Sequence, residues 1–365
     1  MNSQENSPQV RLINLAAQQY SPMSVPAIRQ RFDTWTHPGK SAGLDFLATI
    51  ETRDAAVLFV ELVKQCAEME EPPELRTGDY DEFPRYADVL FPALFECTAN
   101  PRLRWKIWAL CKSLREAGYA SEMGAEKLTE TLIFDFKEQL ETIRDFQKPE
   151  GPGWIHETAY MAERDRAILL LDVMEYQPLD NVRGALYETI DSPDPHLRCY
   201  AVLPLLGHRE KVRQAVIDNI ADHPATRGVL YKELRKRTRL DLYPDRHENQ
   251  MSLAESDLSH WLSYPSELGR VPDEIQLMDT FTVDNNGVGP VEYFLFRFRV
   301  SEPHWAAKDG WMAGISGPFE RAGGPTADGG GNTFSRFETW ENKTPIEHFQ
   351  SALNVLDEWR RQGHE

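Results

Sequence analysis

The chain has 365 residues, 41% of them apolar, which suffices for two domains with a substantial core and excludes a disordered chain. Its formal charge of -18 disfavours nonspecific attraction to nucleic acid or anionic lipid and favours a basic protein partner. No apolar run is long enough to span a bilayer, and the polar start Met1-Asn-Ser-Gln-Glu5 lacks a secretory core, so no membrane contact and a cytoplasmic location are expected.

After a loose start rich in Gln, Ser and Pro, short helices are predicted near Val25 and Ser41. Between 54 and 70 the residues Ala55, Leu58, Phe59, Leu62, Val63 and Cys66 recur on one face of a helix. The acidic stretch 68–82, with Glu70, Glu71, Glu74, Asp79, Asp81 and Glu82 among two prolines and a glycine, reads as an exposed loop. Helices are predicted over 86–97, 102–117 and 125–146, then a break at 148–153, then helices over 157–176, 181–190, 196–206, 210–221 and 226–240. Cys66, Cys97, Cys111 and Cys199 all fall in these helices without the CxxC spacing of a metal or redox pair, and read as buried thiols.

Two openings in this series are alike. Asn100-Pro-Arg-Leu-Arg104 and Asp194-Pro-His-Leu-Arg198 each set a polar N-cap before a proline whose missing N–H costs the helix nothing. Apolar residues then follow at helical spacing, Ile107, Leu110, Cys111 and Leu114 in the first, Ala201 and Leu205 in the second, with Pro204 inside the latter helix. This pattern resembles the HEAT-like helical repeats over roughly 40–240. The resemblance implies an α-solenoid with a unit of about 40 to 47 residues, two of which fit between the openings, and a habit of binding partners rather than a reaction.

Beyond Asp241 the character changes. A helix near 252–263 precedes strands in which Ile275, Leu277, Phe281 and Val283, then Phe294, Phe296, Phe298 and Val300, alternate as on half-buried strands. Asn285-Asn286-Gly287 carries turn chemistry between them, and 311–316 supplies a third strand. Thr344, Pro345 and Glu347 specify a capping box for a last helix whose stripe Phe349, Leu353, Leu356 and Trp359 is expected to lie across the sheet. The expected fold is mostly α, a helical-repeat domain over 1–245 followed by a small α+β module over 252–365 with an antiparallel sheet and a C-terminal helix.

No HExxH, P-loop, strand-linked GxGxxG or GxSxG elbow is present, so no catalytic residue, metal or cofactor is assigned. The richest local cluster runs from His304 to Trp311, where Trp305, Lys308, Asp309 and Trp311 either hold a ligand or serve as core rings among solvated charges. The glycine-rich 323–332 reads as a flexible loop, since no lysine follows it as in a phosphate cradle. Lys232, Arg235, Lys236, Arg237 and Arg239 form the one basic stretch, open to a nucleic-acid reading or to a helix-dipole role. The preferred expectation is a bacterial-type, non-enzymatic protein that binds a basic protein, of the toxin-neutralising immunity kind, with the acidic loop and the 305–311 cluster as contacts. An enzyme with its site at 304–311, or a nucleic-acid binder through 227–239, are the alternatives.

Overall fold

A computed structural model describes residues 24–50, 52–75, 86–119, 125–147, 152–264, 267–285, 289–300, 310–320, 324–327, 338–340 and 343–361. The fold is mostly α: helices packed in chain order, then an antiparallel sheet and a C-terminal helix. Contacts divide the chain into two compact units, Met1–Gln147 with Ala162–Tyr187, and Lys148–Met161 with Glu188–Glu365. Among the described residues no helix is long and apolar enough to cross a membrane.

The first unit holds α1 (Ser24–Arg31), α2 (His37–Thr49), α3 (Arg53–Ala67), the short α4 (Ala87–Leu90), α5 (Pro101–Glu116) and α6 (Ala125–Arg144). All six residues of the predicted α3 stripe are buried. The single helix expected over 86–97 is instead α4 and a 3-10 helix, Ala93–Ala99, because Pro92 offers no amide N–H to continue the ladder. Arg29 meets Glu61 and Lys64 meets Glu96, each 32 residues apart, while Lys127 meets Glu96 across 31. Such exposed pairs add little stability, but Gln65 to Asp33 repeats the offset of 32 seen in Arg29 with Glu61, so α1 with its 3-10 extension and α3 run in the same direction. By contrast α5 and α6 are antiparallel: Arg104 donates to Glu138 at 2.6 Å and the buried Trp108 indole to Asp135 at 2.7 Å. Burial raises the Asp135 pKa above the usual carboxylate value.

The division between the units falls within α7 (Thr158–Met174) and α8 (Leu179–Ile190). The second unit continues with α9 (Pro195–Gly207), α10 (Gln214–Asp222), α11 (Pro224–Lys236) and α12 (Gln250–Leu262). Here the neighbours α11 and α12 are parallel with an offset of 28 residues, seen in Gly228 N–H to Ser256 Oγ at 2.7 Å and Arg227 to Glu255 at 3.3 Å. The stacking offset is therefore shorter than the 40 to 47 residues expected. The return paths explain this: α10 has only 9 residues, and the path from α11 to α12 uses two 3-10 turns of 3 residues each.

Both predicted openings form as expected. Asn100 and Asp194 accept from the amides two residues on, at 3.0 and 2.7 Å. The arginine at the end of each opening then turns back, Arg104 Nε to Thr98 O at 2.9 Å and Arg198 Nη2 to Ser192 O at 2.9 Å, six residues upstream. His223-Pro-Ala-Thr-Arg227 is a third copy, with Arg227 Nε on Ala221 O at 2.8 Å, and sequence reading missed it because histidine is not a usual cap. Arg227 is the most deeply placed of the three, 5% exposed, and also reaches Ser252 O and Oγ.

The sheet is a meander of β1 (Glu274–Asn285), β2 (Gly289–Arg299), β3 (Met312–Glu320) and the two-residue β4 (Glu338–Thr339). Residues 286–288 of the expected turn lie outside the described residues. β2 is buried on both faces rather than half-buried. Phe294, Phe296 and Phe298 pack with Leu258 and Leu262 of α12, while Tyr293 and Leu295 pack with Phe349 of α13 (Pro345–Arg361) on the other side. The C-terminal helix thus lies on the sheet, opened by Thr344 and Glu347, whose Oε2 accepts from the Thr344 amide at 2.7 Å. The side chains of Leu356 and Trp359 lie outside those described. β1 departs from strict alternation at a bulge at Met278, where Leu277 pairs with Phe296 but Asp279 with Leu295. The extra residue swaps faces: Ile275 joins the α12 side, whereas Phe281 and Val283 join the α13 side, Phe281 stacking on Phe349 at 4.2 Å.

Arg227→Ala leaves several buried carbonyls and Glu255 without their donor and should lower unfolding free energy by about 3 kcal/mol in urea melts. Arg102→Ala, which loses an exposed pair with Glu71, should change it by less than about 0.5 kcal/mol.

Candidate functional site

The acidic loop is built on apolar anchors: Pro72, Pro73 and Leu75 are buried, and Glu70, Glu71 and Glu74 are exposed beside them. Glu71 lies 3.4 Å from Arg102 in a solvated pair. Asp79, Asp81 and Glu82 lie outside the described residues, as do His304, Trp305, Lys308 and Asp309 of the aromatic cluster.

Trp311 is described, and its ring is neither a buried core ring nor a bare surface one. It carries the guanidinium groups of Arg297 and Arg299 at 4.4 and 4.9 Å from its centroid. Arg297 donates to Gln276 Oε1 at 2.9 and 2.6 Å, and Arg299 pairs with Glu274. The two arginines stand two apart on β2 and therefore share a face. That spacing was visible in the sequence, but Phe298 between them continues the run from Phe294 and Phe296 that marks the opposite face.

In the basic stretch Lys232, Arg235 and Lys236 are exposed at helical spacing on one face of α11, while the other bases are tied into the fold. Arg227 is buried, Arg235 donates to Pro325 O at 3.2 Å, Arg237 pairs with Glu233 and Arg239 with Asp241 at 3.3 Å. Lys232 also lines a cavity.

This cavity, of about 280 Å³, is the feature that sequence reading missed. Tyr200 comes from α9, Lys232 and Glu233 from α11, and Ser256, Asp257 and His260 from α12, so adjacent helices bring cationic, anionic and imidazole groups around one small space. Tyr200, Val229 and Asp257 fall 28 to 29 residues apart, the stacking offset of this unit, which is why no local motif reveals them. Asp257 is fixed from the sheet side by Ser316 Oγ, which donates to it at 2.9 Å. Part of the glycine-rich stretch, expected as a flexible loop, is docked here: Gln250 pairs with both the N–H and the C=O of Thr326 at 2.9 Å, Tyr231 donates to Pro325 O at 3.0 Å, and Ala327 lines the cavity. The reciprocal amide pair satisfies backbone groups that a free loop gives to water. A space of this size and lining suits a small polar molecule.

A second polar group is enclosed in the same unit. Tyr160 donates to Asp194 Oδ2 at 2.5 Å, and the His196 and His223 rings meet edge to face at 6.2 Å. Burial, reinforced by His196, pushes the His223 pKa down to about 4. Among the described residues no group of three or more His, Cys, Asp or Glu is arranged to hold a metal ion. The four cysteines are buried free thiols, and burial pushes the Cys66 and Cys97 pKa up to about 11. No protein-family model matches this chain, and comparison with curated proteins and with solved structures likewise finds no match.

Because folding holds His223 neutral, protons bind first to the unfolded chain below pH 6.5, its ordinary value. Its contribution is therefore complete above pH 6.5, declines as pH falls and is lost by about pH 4, a total of about 3 kcal/mol. Stabilities of the native chain and of His223→Gln from urea melts should diverge by that amount in total between pH 6.5 and about 4, and parallel pH profiles would contradict the assignment.

Proposed function

We propose that this chain is a HEAT-like helical-repeat protein that binds and masks a basic protein partner, without catalysis. Charge carries the reading. The chain has 58 acidic and 40 basic residues, and many of the described bases are engaged internally, as in Arg29 with Glu61, Lys112 with Asp172 and Arg237 with Glu233. Each such pair removes one charge of either sign from outward recognition, so the surplus of 18 negative charges has no counterpart within the chain. A basic partner is steered and held by this field, and an unlike acidic one is repelled.

The recurring Pro-x-x-Arg openings supply the helical frame, and Glu70, Glu71 and Glu74 stand on it as exposed carboxylates. The Trp311 cluster, with Arg297 and Arg299, supplies an aromatic contact in the C-terminal module. Neutralisation of a basic toxin in a bacterial cytoplasm is a setting that suits these features. The internal bonds of Arg227, Arg235, Arg237 and Arg239, together with the net charge of -18, weigh against nucleic acid as the partner.

Affinity capture with the full chain from its source cell, read by mass spectrometry, should recover one stoichiometric basic protein that is released as salt rises. Recovery of none, or of an acidic protein indifferent to salt, would overturn the reading.

A further inference from the structure

We propose that the outer edge of β1, from Asp279 to Asn285, is a docking site for an extended basic segment of the partner protein, which adds to the sheet as a further strand. The proposal rests on the basic-partner reading above and names the place and form of contact. β1 is the outermost strand of the sheet, and β2 satisfies its inner edge along its whole length. An edge strand leaves a row of backbone N–H and C=O groups open to pairing, and proteins usually blunt such an edge with lysine, proline or a bulge.

Here the protection stops early. The bulge at Met278 interrupts the edge, and the Thr280 amide is taken by Asp279 Oδ1 at 2.8 Å. From Phe281 to Asn285 no described residue bonds the outer backbone, and the 12 residues of β1 include no lysine, arginine or proline. Five residues remain, about 17 Å of strand. They are held rigid from behind, since Phe281 and Val283 pack into the α13 side of the sheet and Phe281 stacks on Phe349 at 4.2 Å. A preformed edge of this kind spends little entropy on receiving a guest strand.

The charges choose the occupant. Glu274, Asp279 and Asp284 make β1 purely acidic, and Asp279, Thr280, Thr282 and Asp284 are exposed. Two copies of β1 laid edge to edge would bring like charges together, which disfavours a second copy of this chain. A guest with lysine or arginine alternating with β-branched residues instead meets Asp284 with its cations, its apolar side chains continue the Phe281 and Val283 face, and Asp279, on that same face at the end of the edge, meets a cation at the end of the guest.

The test uses the full chain and a synthetic heptapeptide, Lys-Val-Lys-Val-Lys-Val-Lys, with hydrogen exchange and fluorescence anisotropy as readouts. Binding should slow exchange of the outward-facing amides among 281–285 by about tenfold or more, and the Glu-Val counterpart should bind at least about tenfold more weakly. Asp279→Lys with Asp284→Lys should weaken the Lys-Val peptide by about tenfold, while Glu70→Lys with Glu74→Lys should change it by less than about twofold. Peptide bound without protection of β1, or equally to the Asp279 and Asp284 variant, would overturn the edge site and leave the basic-partner reading standing. Protection of β1 in the chain alone as concentration rises would assign the edge to self-association instead. A capture experiment that yields no basic partner would remove the wider reading even where the peptide binds.

Discussion

The parallel register of α9, α11 and α12 is the constraint on which the second unit depends, and backbone carbonyls at the turns into these helices hold it. An arginine five residues into an opening donates to the carbonyl six residues back, which fixes the angle at which the chain enters the helix. In α11 the same side chain crosses to Ser252 and Glu255 of α12. One buried guanidinium therefore sets both a helix start and the alignment of its neighbour. Its planar fork serves several acceptors at once, which a lysine ammonium cannot reproduce in the same geometry.

That register has consequences in two directions. Toward α9 it lines up Tyr200 with Val229 and Asp257 and so encloses the cavity. Toward the sheet, α12 lays Leu258 and Leu262 against Phe294, Phe296 and Phe298, and Gly314 sits close enough that a Cβ there would meet Leu258 at 3.0 Å. The helix that closes the repeat series is also the floor of the sheet. With α13 on the opposite face, β2 and β3 are enclosed on both sides, and the acidic β1 is left at the rim.

Much of this fold was legible in the sequence because it is written locally. The α3 stripe, both Asx-Pro openings, the strands and the Thr344 capping box each depend on residues within a few positions of one another. What was not legible depends on distance or on a single inserted residue. The Met278 bulge reverses the face of everything after it on β1, and no feature of Ile275-Gln-Leu-Met-Asp279 announces where the extra residue falls. The third opening was hidden by His223, an unusual cap, although Pro224 and Arg227 kept the pattern. For the candidate contacts the division is similar: Trp311 was picked out for its ring, but Arg297 and Arg299 come to it from a neighbouring strand, and the cavity draws on separate helices.

The parallel alignment is most directly tested by a cross-link. An ideal Cβ at Gly228 lies 3.5 Å from Ser256 Cβ, within the range that a disulfide spans, and the four native thiols are buried. Under mild oxidation Gly228→Cys with Ser256→Cys should close an intramolecular disulfide, while Gly228→Cys with Ser263→Cys, two turns further along, should remain reduced. Closure of the second pair and not the first would contradict the register and the cavity and helix-to-sheet packing that follow from it.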